Sequence, residues 1–367
     1  MSLRVLVVDD TVVFRRIVSD ALSAVPGVEV VGTAPNGRLA MGRMAALQPD
    51  LVTLDIEMPE MNGIEVLEAM AAAGIKAGVI MLSALTVHGG EMTVRALELG
   101  AFDFLTKPEG GGMEANLAHL REQLVPMVRA FERRCEIRTI LGGGASRSAP
   151  EVIPPPQAPV AGPDRPARGL RRSGPPLVLI GVSTGGPSAL AKLLPSLPAD
   201  LGAPVFIVQH MPALFTRPLA DSLDKKSAIR VEEARDGEVA RPNCAYMAPG
   251  GRQMKLVPGP AGEIVLRITD DPPEKGCRPA ADYLFRSAAL HFPGRSVAAI
   301  LTGMGGDGTE GLRMLKRGGC FSIAQDEASC VVFGMPKEAI QAGVVDTVAP
   351  LEMIAAAIVR SVREART

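Results

Sequence analysis

LVLIGVSTGGPSALAKLL, residues 177–194, is the stretch of sequence that decides the fold of the second half of the chain. It runs from an apolar segment through a glycine-rich turn into a helical pattern, the repeating unit of a parallel α/β fold. Three further apolar runs, residues 204–209, 297–302 and 320–324, are also followed by glycine or polar residues. We therefore expect residues 177–367 to form a doubly wound α/β domain. Its sheet should be mostly parallel, with an antiparallel part between residues 229 and 268, where Gly-Pro turns separate short alternating segments.

The first half of the chain repeats the same alternation five times. Apolar runs lie at residues 4–8, 29–34, 51–55, 79–83 and 102–106, with helical patterns between them. Because parallel crossovers are right-handed, five β/α repeats predict an open sheet with helices on both faces. We assign residues 1–125 to this flavodoxin-like (βα)5 domain.

A segment of different composition separates the two domains. Residues 142–144 are glycines, residues 154–156 are prolines, and Pro, Arg, Ser and Gly recur up to Pro176. Such a segment buries little apolar surface and favours extended conformations. We expect residues 126–176 to form a linker helix followed by a partly stiff tether.

Composition restricts the partners and the location of the protein. With 39 basic and 40 acidic residues, the chain has no long-range field for nucleic acid or an acidic membrane, and without Trp it has few stacking platforms. No signal peptide and no run of about 20 apolar residues is present, so we expect a cytoplasmic protein that does not insert into membranes. The five cysteines are scattered without a C-x-x-C pair, which favours buried reduced thiols over a zinc or redox motif.

Five polar residues follow the strands predicted in the first domain: Asp9, Asp10, Asp55, Ser83 and Lys107. The carboxyl ends of parallel strands share one edge of the sheet, so these side chains should converge. Carboxylates that meet repel one another unless a hard cation such as Mg²⁺ is bound. A single Asp at such a position would more often cap a helix.

These residues resemble the motifs of two-component receiver domains over about residues 1–120. The resemblance rests on VVDD at 7–10, LDIEMP at 54–59, Ser83-Ala84 and Thr106-Lys107-Pro108. It implies that Asp55 is phosphorylated by a histidine kinase and that Mg²⁺ is held by Asp10, the carbonyl of Glu57 and, through water, Asp9. It also implies that Ser83 and Lys107 bind the phosphoryl oxygens, and that Phe104 occupies the position of a switching aromatic residue.

In the second domain, residues 181–185 form a G-x-S-x-G sequence, which can expose Ser183 on a tight turn at a helix start. Alone, this pattern fits a capping serine or a phosphate-binding loop equally well. A nucleophilic serine needs a base, and of four histidines only His210 ends a predicted strand of this domain. Asp307, beyond the strand at residues 297–302, could orient that imidazole.

The glycines around Asp307 allow a competing interpretation. Gly303, Gly305 and Gly308 form a G-x-G-x-x-G sequence with Asp326 at a distance suited to a ribose contact. A carboxylate beside the last glycine would repel a bound pyrophosphate, which disfavours a dinucleotide site.

The second domain resembles the chemotaxis protein-glutamate methylesterases over about residues 177–360. The resemblance rests on IGVSTGGP at 180–187, VQHMP at 208–212, APGG at 248–251, Arg278-Pro279 with Asp282, and LTGMGGDG at 301–308. It implies a phosphorylation-activated hydrolase that demethylates receptor glutamates and deamidates glutamines, with methyl-accepting chemotaxis receptors as substrate and no cofactor for the esterase step. Ser183, His210 and Asp307 would form the triad, and the amides of Thr184 and Met304 the oxyanion hole. The family often has His where this chain has Cys277, and the alternative to an enzyme is a response regulator whose second domain only binds a partner.

Overall fold

The computed structural model describes residues 2–108, 110, 112–142 and 174–365, without the side chains of Met113 and of residues 137–142. The tether predicted before Pro176 therefore lies largely outside the described residues.

The N-terminal domain contains the five-stranded sheet that the apolar runs predict. Its strands are β1 (Leu3–Val8), β2 (Val28–Ala34), β3 (Leu51–Asp55), β4 (Gly78–Ser83) and β5 (Asp103–Thr106). They are ordered β2-β1-β3-β4-β5, and every neighbouring pair is parallel. This order confirms the doubly wound arrangement. Because the strands are parallel, the carboxyl ends of β1, β3 and β4 lie at the same edge of the sheet.

Five helices cover this sheet: α1 (Val12–Ser23), α2 (Gly37–Leu47), α3 (Gly63–Ala72), α4 (Val87–Glu98) and α5 (Met113–Gly142). Helix α3 begins at a capping box in which Asn62 and Glu65 satisfy each other's backbone amides. The domain boundary predicted at residue 125 falls inside α5. Val128 and Phe131 lie beyond that boundary and are still buried against the N-terminal core, so this helix is not a free linker.

The C-terminal domain is built on a seven-stranded sheet. Its strands are β6 (Leu177–Val182), β7 (Val205–Gln209), β8 (Arg230–Glu233), β9 (Cys244–Met247), β12 (Ser296–Ile300), β13 (Phe321–Gln325) and β14 (Thr347–Ala349). Two further strands, β10 (Gln253–Pro258) and β11 (Ile264–Thr269), form a separate hairpin. The order is β14-β13-β12-β6-β7-β9-β8. The helices are α6 (Gly186–Leu193), α7 (Thr216–Asp224), α8 (Ala281–His291), α9 (Thr309–Arg317), α10 (Met335–Gln341) and α11 (Leu351–Glu364).

The prediction that the main sheet is antiparallel between residues 229 and 268 is wrong. Strands β8 and β9 join it in parallel, and the only antiparallel ladder among the described strands is that of β10 and β11. The connection from β8 to β9 does not turn back as a hairpin because it runs along β11, where Gly237 N donates to Leu266 O and Ala240 N to Ile264 O. That detour lets the chain re-enter the sheet in its original direction.

Strand order reverses between β6 and β12, since β7 lies on one side of β6 and β12 on the other. Ligands of open α/β sheets bind in the crevice that such a reversal leaves at the carboxyl ends of the strands. Ser183 follows β6 and the loop of Gly303–Asp307 follows β12, so the fold places both at this crevice.

The two domains contact each other through α4, which packs on α6 and α7. Phe104 of β5 stacks on Phe215 with ring centroids 4.8 Å apart, and Glu98 forms an ion pair with Lys226 at 2.7 Å. The Asp103 carboxyl faces the hydroxyl of Thr184, the residue after the candidate nucleophile. Of the helices in the described ranges, none is long and apolar enough to cross a membrane.

Candidate active site and acidic cluster

The turn that carries Ser183 is held by its neighbours on both sides. Ser183 N donates to Thr302 O at 3.0 Å, and the amide of Gln209 donates to Ser183 O at 3.0 Å. Gly185 has φ +75°, a conformation that favours glycine, and α6 begins directly after it. The half-buried Ser183 thus lies on a sharp strand-to-helix turn, as the G-x-S-x-G pattern predicts.

Thr302 and Gln209 are positioning residues to which sequence reasoning gave no role. The Thr302 hydroxyl donates to Thr184 O at 2.9 Å and accepts from the amide of Val332 at 2.9 Å. Both side chains are buried polar groups at the last positions of apolar runs, beside Ser183 and His210. That placement is the signal that could have identified them, because a buried polar group needs partners.

The loop after β12 lies close to Ser183. A Cβ at Gly303 would lie 2.7 Å from the Cβ of Ser183 and 2.5 Å from Met335 Sδ, so only glycine allows this approach. Within the described part of the chain, the amides of Thr184 and Met304 donate to no protein acceptor. Two free amides on either side of the crevice fit an oxyanion hole.

His210 and Asp307 are in direct contact. His210 Nε2 lies 2.7 Å from Asp307 Oδ2, and the backbone of His210 is fixed by its amide, which donates to Val182 O at 3.1 Å. Asp307 also accepts hydrogen bonds from three backbone amides, those of Ala281, Asp282 and Gly308. The carboxylate therefore cannot turn, and it holds the imidazole in one orientation.

The contact between His210 and Asp307 shifts the pKa of both partners. Burial raises the pKa of Asp307, but His210 and the amides of Asp282 and Ala281 lower it more, with a net fall below its ordinary value. Burial lowers the pKa of His210, whereas Asp307 and Cys277 raise it, with a net rise to about 9. Asp307 thus stays ionised and stabilises the imidazolium, so His210 must release this proton before it can act as a general base.

The second imidazole nitrogen faces Cys277. His210 Nδ1 lies 3.6 Å from Cys277 Sγ, and among the described residues the Ser183 hydroxyl has no hydrogen bond to His210. The prediction that the cysteines are buried holds for Cys244 and Cys320, whereas Cys135, Cys277 and Cys330 are half-buried. Apo catalytic sites often lack the nucleophile–base bond, which forms when substrate binds.

The loop that carries Cys277 is anchored to the rest of the site. Lys275 Nζ donates to Asp282 Oδ2 at 2.8 Å and to Gly306 O at 3.3 Å. Gln253 accepts from Ala280 N at 2.9 Å and donates to Cys277 O at 3.4 Å. Cys277 is therefore held beside His210 from both ends of its loop.

The contacts of Asp307 argue against the dinucleotide interpretation of the glycine loop. In a dinucleotide site the helix-start amides point at pyrophosphate, whereas here the Gly308 amide donates to Asp307 Oδ1 at 2.9 Å. Asp326, the proposed ribose contact, instead accepts from Ser329 N at 3.0 Å. The groups that would bind a dinucleotide are therefore already bonded to side chains of the protein.

The N-terminal domain brings its acidic residues together as the sequence predicts. Carboxylate oxygens of Asp9, Asp10 and Asp55 lie within 4.8 Å of one another, and Lys107 Nζ lies 2.7 Å from both Asp9 Oδ2 and Asp55 Oδ2. Burial raises the pKa of Asp55; Lys107 lowers it and Asp9 raises it, to a value of about 6.

Two features of the cluster fit a hard cation. Asp9 Oδ2 is fully buried and has only the ion-pair contact with Lys107, without hydrogen-bond alignment. Asp10, in contrast, is exposed, as is Glu57 in the bend after β3. Ser83 is fully buried and donates to Gly89 O at 3.3 Å. An oxygen-only donor set that includes a buried carboxylate suits Mg²⁺.

Comparisons with known proteins agree on both halves of the chain. Residues 5–115 match the model of the response regulator receiver domain, and residues 178–358 match that of the CheB methylesterase. A protein-glutamate methylesterase/protein-glutamine glutaminase of Desulfotalea psychrophila is 49% identical over 99% of each chain, and one of Bacillus subtilis is 43% identical over 99% of each. The solved catalytic domain of the Thermotoga maritima CheB methylesterase is 40% identical, with a TM-score of 0.50 over 51% of this chain and 99% of that one.

Proposed function

This chain belongs to the family of CheB protein-glutamate methylesterases with a receiver domain, and we propose that Ser183, His210 and Asp307 are its catalytic triad. The observation that carries the proposal is the contact of His210 with Asp307 beside the turn that presents Ser183. The pair lies at the reversal point of the sheet, next to the free amides of Thr184 and Met304.

The chemistry follows from these positions. Ser183 Oγ attacks the γ-carbonyl of a glutamate methyl ester while His210 accepts its proton, and the Thr184 and Met304 amides bind the oxyanion. His210 then returns the proton to the leaving methoxide, which departs as methanol. Water hydrolyses the acyl-enzyme to glutamate, again with His210 as base. A glutamine side chain reacts in the same way and releases ammonia.

In the receiver domain, Asp55 is the proposed phosphoacceptor. Lys107 already contacts Asp55, and it would bind the phosphoryl oxygens together with Ser83. Asp9, Asp10, Asp55 and the carbonyl of Glu57 would hold Mg²⁺, which when bound neutralises charge on the transferring phosphoryl group. The phosphodonor would be a chemotaxis histidine kinase, and the substrates the methyl-accepting receptors; both partners would require the protein to be in the cytoplasm. Residues 1–131 would form this domain, and 177–365 the hydrolase.

Phosphorylation would control access to the triad by weakening the contact between the domains. Phe104 lies in the strand that leads to Lys107, and its partner Phe215 lies five residues after His210. A change of Phe104 on phosphorylation would therefore act directly on the segment that carries the base. The unphosphorylated receiver would hold this segment and cover the entrance.

Methanol release from methylated receptor membranes tests the triad. Ser183→Ala should reduce the rate to background, whereas substitution of an exposed serine after α6, Ser196→Ala, should keep it. Retained methanol release by Ser183→Ala would refute the assignment. A fluorophosphonate probe separates the enzyme from a regulator with an inert output domain, because only an activated serine is labelled.

A shortened protein tests the control by the receiver. Removal of the residues before Pro176 should raise basal methanol release, and acetyl phosphate should raise it in the full chain but not after Asp55→Asn. The isolated Thermotoga maritima domain was solved on its own, which supports folding of the fragment. A fragment as slow as the full unphosphorylated chain would contradict the control mechanism.

A further inference from the structure

The spacing of His210 and Cys277 matches that of two ligands of one metal ion. Zn²⁺ binds His nitrogen at about 2.0–2.1 Å and thiolate sulfur at about 2.3 Å, so a tetrahedral angle places the two ligand atoms about 3.5 Å apart. His210 Nδ1 and Cys277 Sγ are 3.6 Å apart. We propose that these two side chains bind a thiophilic divalent cation such as Zn²⁺, and that the bound cation inhibits the hydrolase.

Asp307 lies where a carboxylate would support a metal-bound histidine. A metal-bound histidine usually donates its other ring N–H to a carboxylate, which fixes the tautomer and makes the ligand more basic. Here Nε2 lies 2.7 Å from Asp307 Oδ2, and Nδ1 faces Cys277. The three backbone amides on Asp307 keep this arrangement fixed without the metal.

Cys277 is positioned before any cation arrives. Its loop is pinned by Lys275 to Asp282 and by Gln253 to the Cys277 carbonyl, so little ordering is needed on binding. Both ligands are half-buried, which leaves a path for the ion and room for water at the remaining coordination positions. Binding converts the Cys277 thiol to a thiolate and releases its proton to solvent.

The proposed inhibition depends on which imidazole nitrogen of His210 binds the cation, and it rests on the proposed function. Because Nε2 is committed to Asp307, Nδ1 is the atom that must accept the proton of Ser183. A cation on Nδ1 removes that lone pair, so metal and catalysis exclude each other. The binding itself does not depend on the esterase assignment.

Cobalt titration of the reduced, metal-free full chain tests the binding directly. After excess Mg²⁺ is added to fill the acidic cluster of the N-terminal domain, Co²⁺ should give thiolate-to-metal charge-transfer absorption at one equivalent, and Zn²⁺ should displace it. Loss even of a supporting outer-shell group weakens metal sites by about 10- to 100-fold, so Cys277→Ser should raise the Kd by more than about 100-fold and abolish the band. Cys330→Ser, the matched control at another half-buried thiol, should keep both. A band that survives Cys277→Ser, or none with the unaltered chain, overturns the proposal.

Two further variants separate the site from the function. Ser183→Ala should bind Co²⁺ like the unaltered chain although it is inactive, and His210→Gln should lose binding. Zn²⁺ should stop methanol release by the unaltered chain, reversibly with a chelator, but should change the rate of Cys277→Ser by less than about twofold at the same concentration. Binding without inhibition would overturn the regulatory part, whereas activity of Ser183→Ala would remove only the proposed triad.

Discussion

Asp103→Asn should stabilise the protein at neutral pH and not at low pH. Asp103 lies at the start of β5, is buried against the C-terminal domain, and contacts the Thr184 hydroxyl and the amide of Phe104. Burial raises its pKa, those two contacts lower it, and the net result is a rise from 3.8 to about 6. The native protein thus binds this proton more tightly than the unfolded chain does.

The sign and size of the effect follow from proton linkage. Between pH 3.8 and about 6 the native state carries more protons at Asp103 than the unfolded state, so the free energy of unfolding falls as pH rises through that window. A shift of roughly two pKa units corresponds to about 3 kcal/mol. Asn has the same shape and needs no proton. The variant should therefore exceed the unaltered protein by up to about 3 kcal/mol above pH 7, and by little at pH 4.

Urea unfolding followed by circular dichroism at pH 4 and pH 8 measures the difference, since the chain has no Trp for fluorescence. Other groups that titrate between these pH values, such as Asp55, are present in both proteins, so their contributions cancel in the difference between the two free energies of unfolding. Asp20→Asn, an exposed control, should show no pH-dependent difference. A variant that is less stable at pH 8, or equally shifted at both pH values, would refute the reasoning. Since Asp103 faces Thr184, tighter docking should also lower basal methanol release.

Three further substitutions test the site and the domain contact. Asp307→Asn places an amide against His210 and should reduce kcat by about 10⁴-fold, as in other serine triads, with methanol release as the assay. Gly303→Ala puts a Cβ 2.7 Å from that of the nucleophile and should cost at least about 10²-fold in activity, whereas Gly42→Ala, with open space around it, should cost none; equal rates would contradict the proposed crowding. Lys226→Ala removes the ion pair with Glu98, in which the lysine side chain is 42% exposed. Such a pair contributes at most about 1 kcal/mol, so basal activity should rise by no more than about fivefold. Lys225→Ala should leave basal activity unchanged.

The sequence was sufficient for the N-terminal sheet, for β6, β7, β12 and β13 of the C-terminal sheet and for the main polar residues, because these depend on local pattern. Apolar runs located the strands that line the two crevices, and the rule that ligands bind at carboxyl ends then selected Asp55, Ser183 and His210. The structure brings His210 to Asp307, as predicted, although the two are 97 positions apart. What failed was the direction of β8 and β9. Parallel and antiparallel strands have the same local pattern, and only the path of the connecting loop along β11 decides between them.

Contacts made by loops could not be predicted in this way. Cys277 lies in a segment without periodicity, 67 positions from His210, and the cysteine spacing argued against a metal ligand. The position of this loop depends on single side-chain contacts, such as Lys275 with Asp282, that no local pattern encodes. The same holds for Thr302 and Gln209, whose partners are backbone atoms of a neighbouring strand end.

Two of the contacts between the domains are individually small, although buried apolar side chains of both domains belong to one continuous cluster. A stacked aromatic pair such as Phe104 and Phe215 contributes about 0.5–1.5 kcal/mol beyond its buried area, and the partly exposed pair of Glu98 and Lys226 about 1 kcal/mol or less. The buried Asp103 opposes docking at neutral pH. Each of these two contacts is therefore of the same order as the 1–3 kcal/mol typical of allosteric coupling. A phosphoryl group at Asp55 would weaken docking to the extent that it disfavours the docked position of Phe104, because a ligand shifts an equilibrium by its differential affinity for the two states.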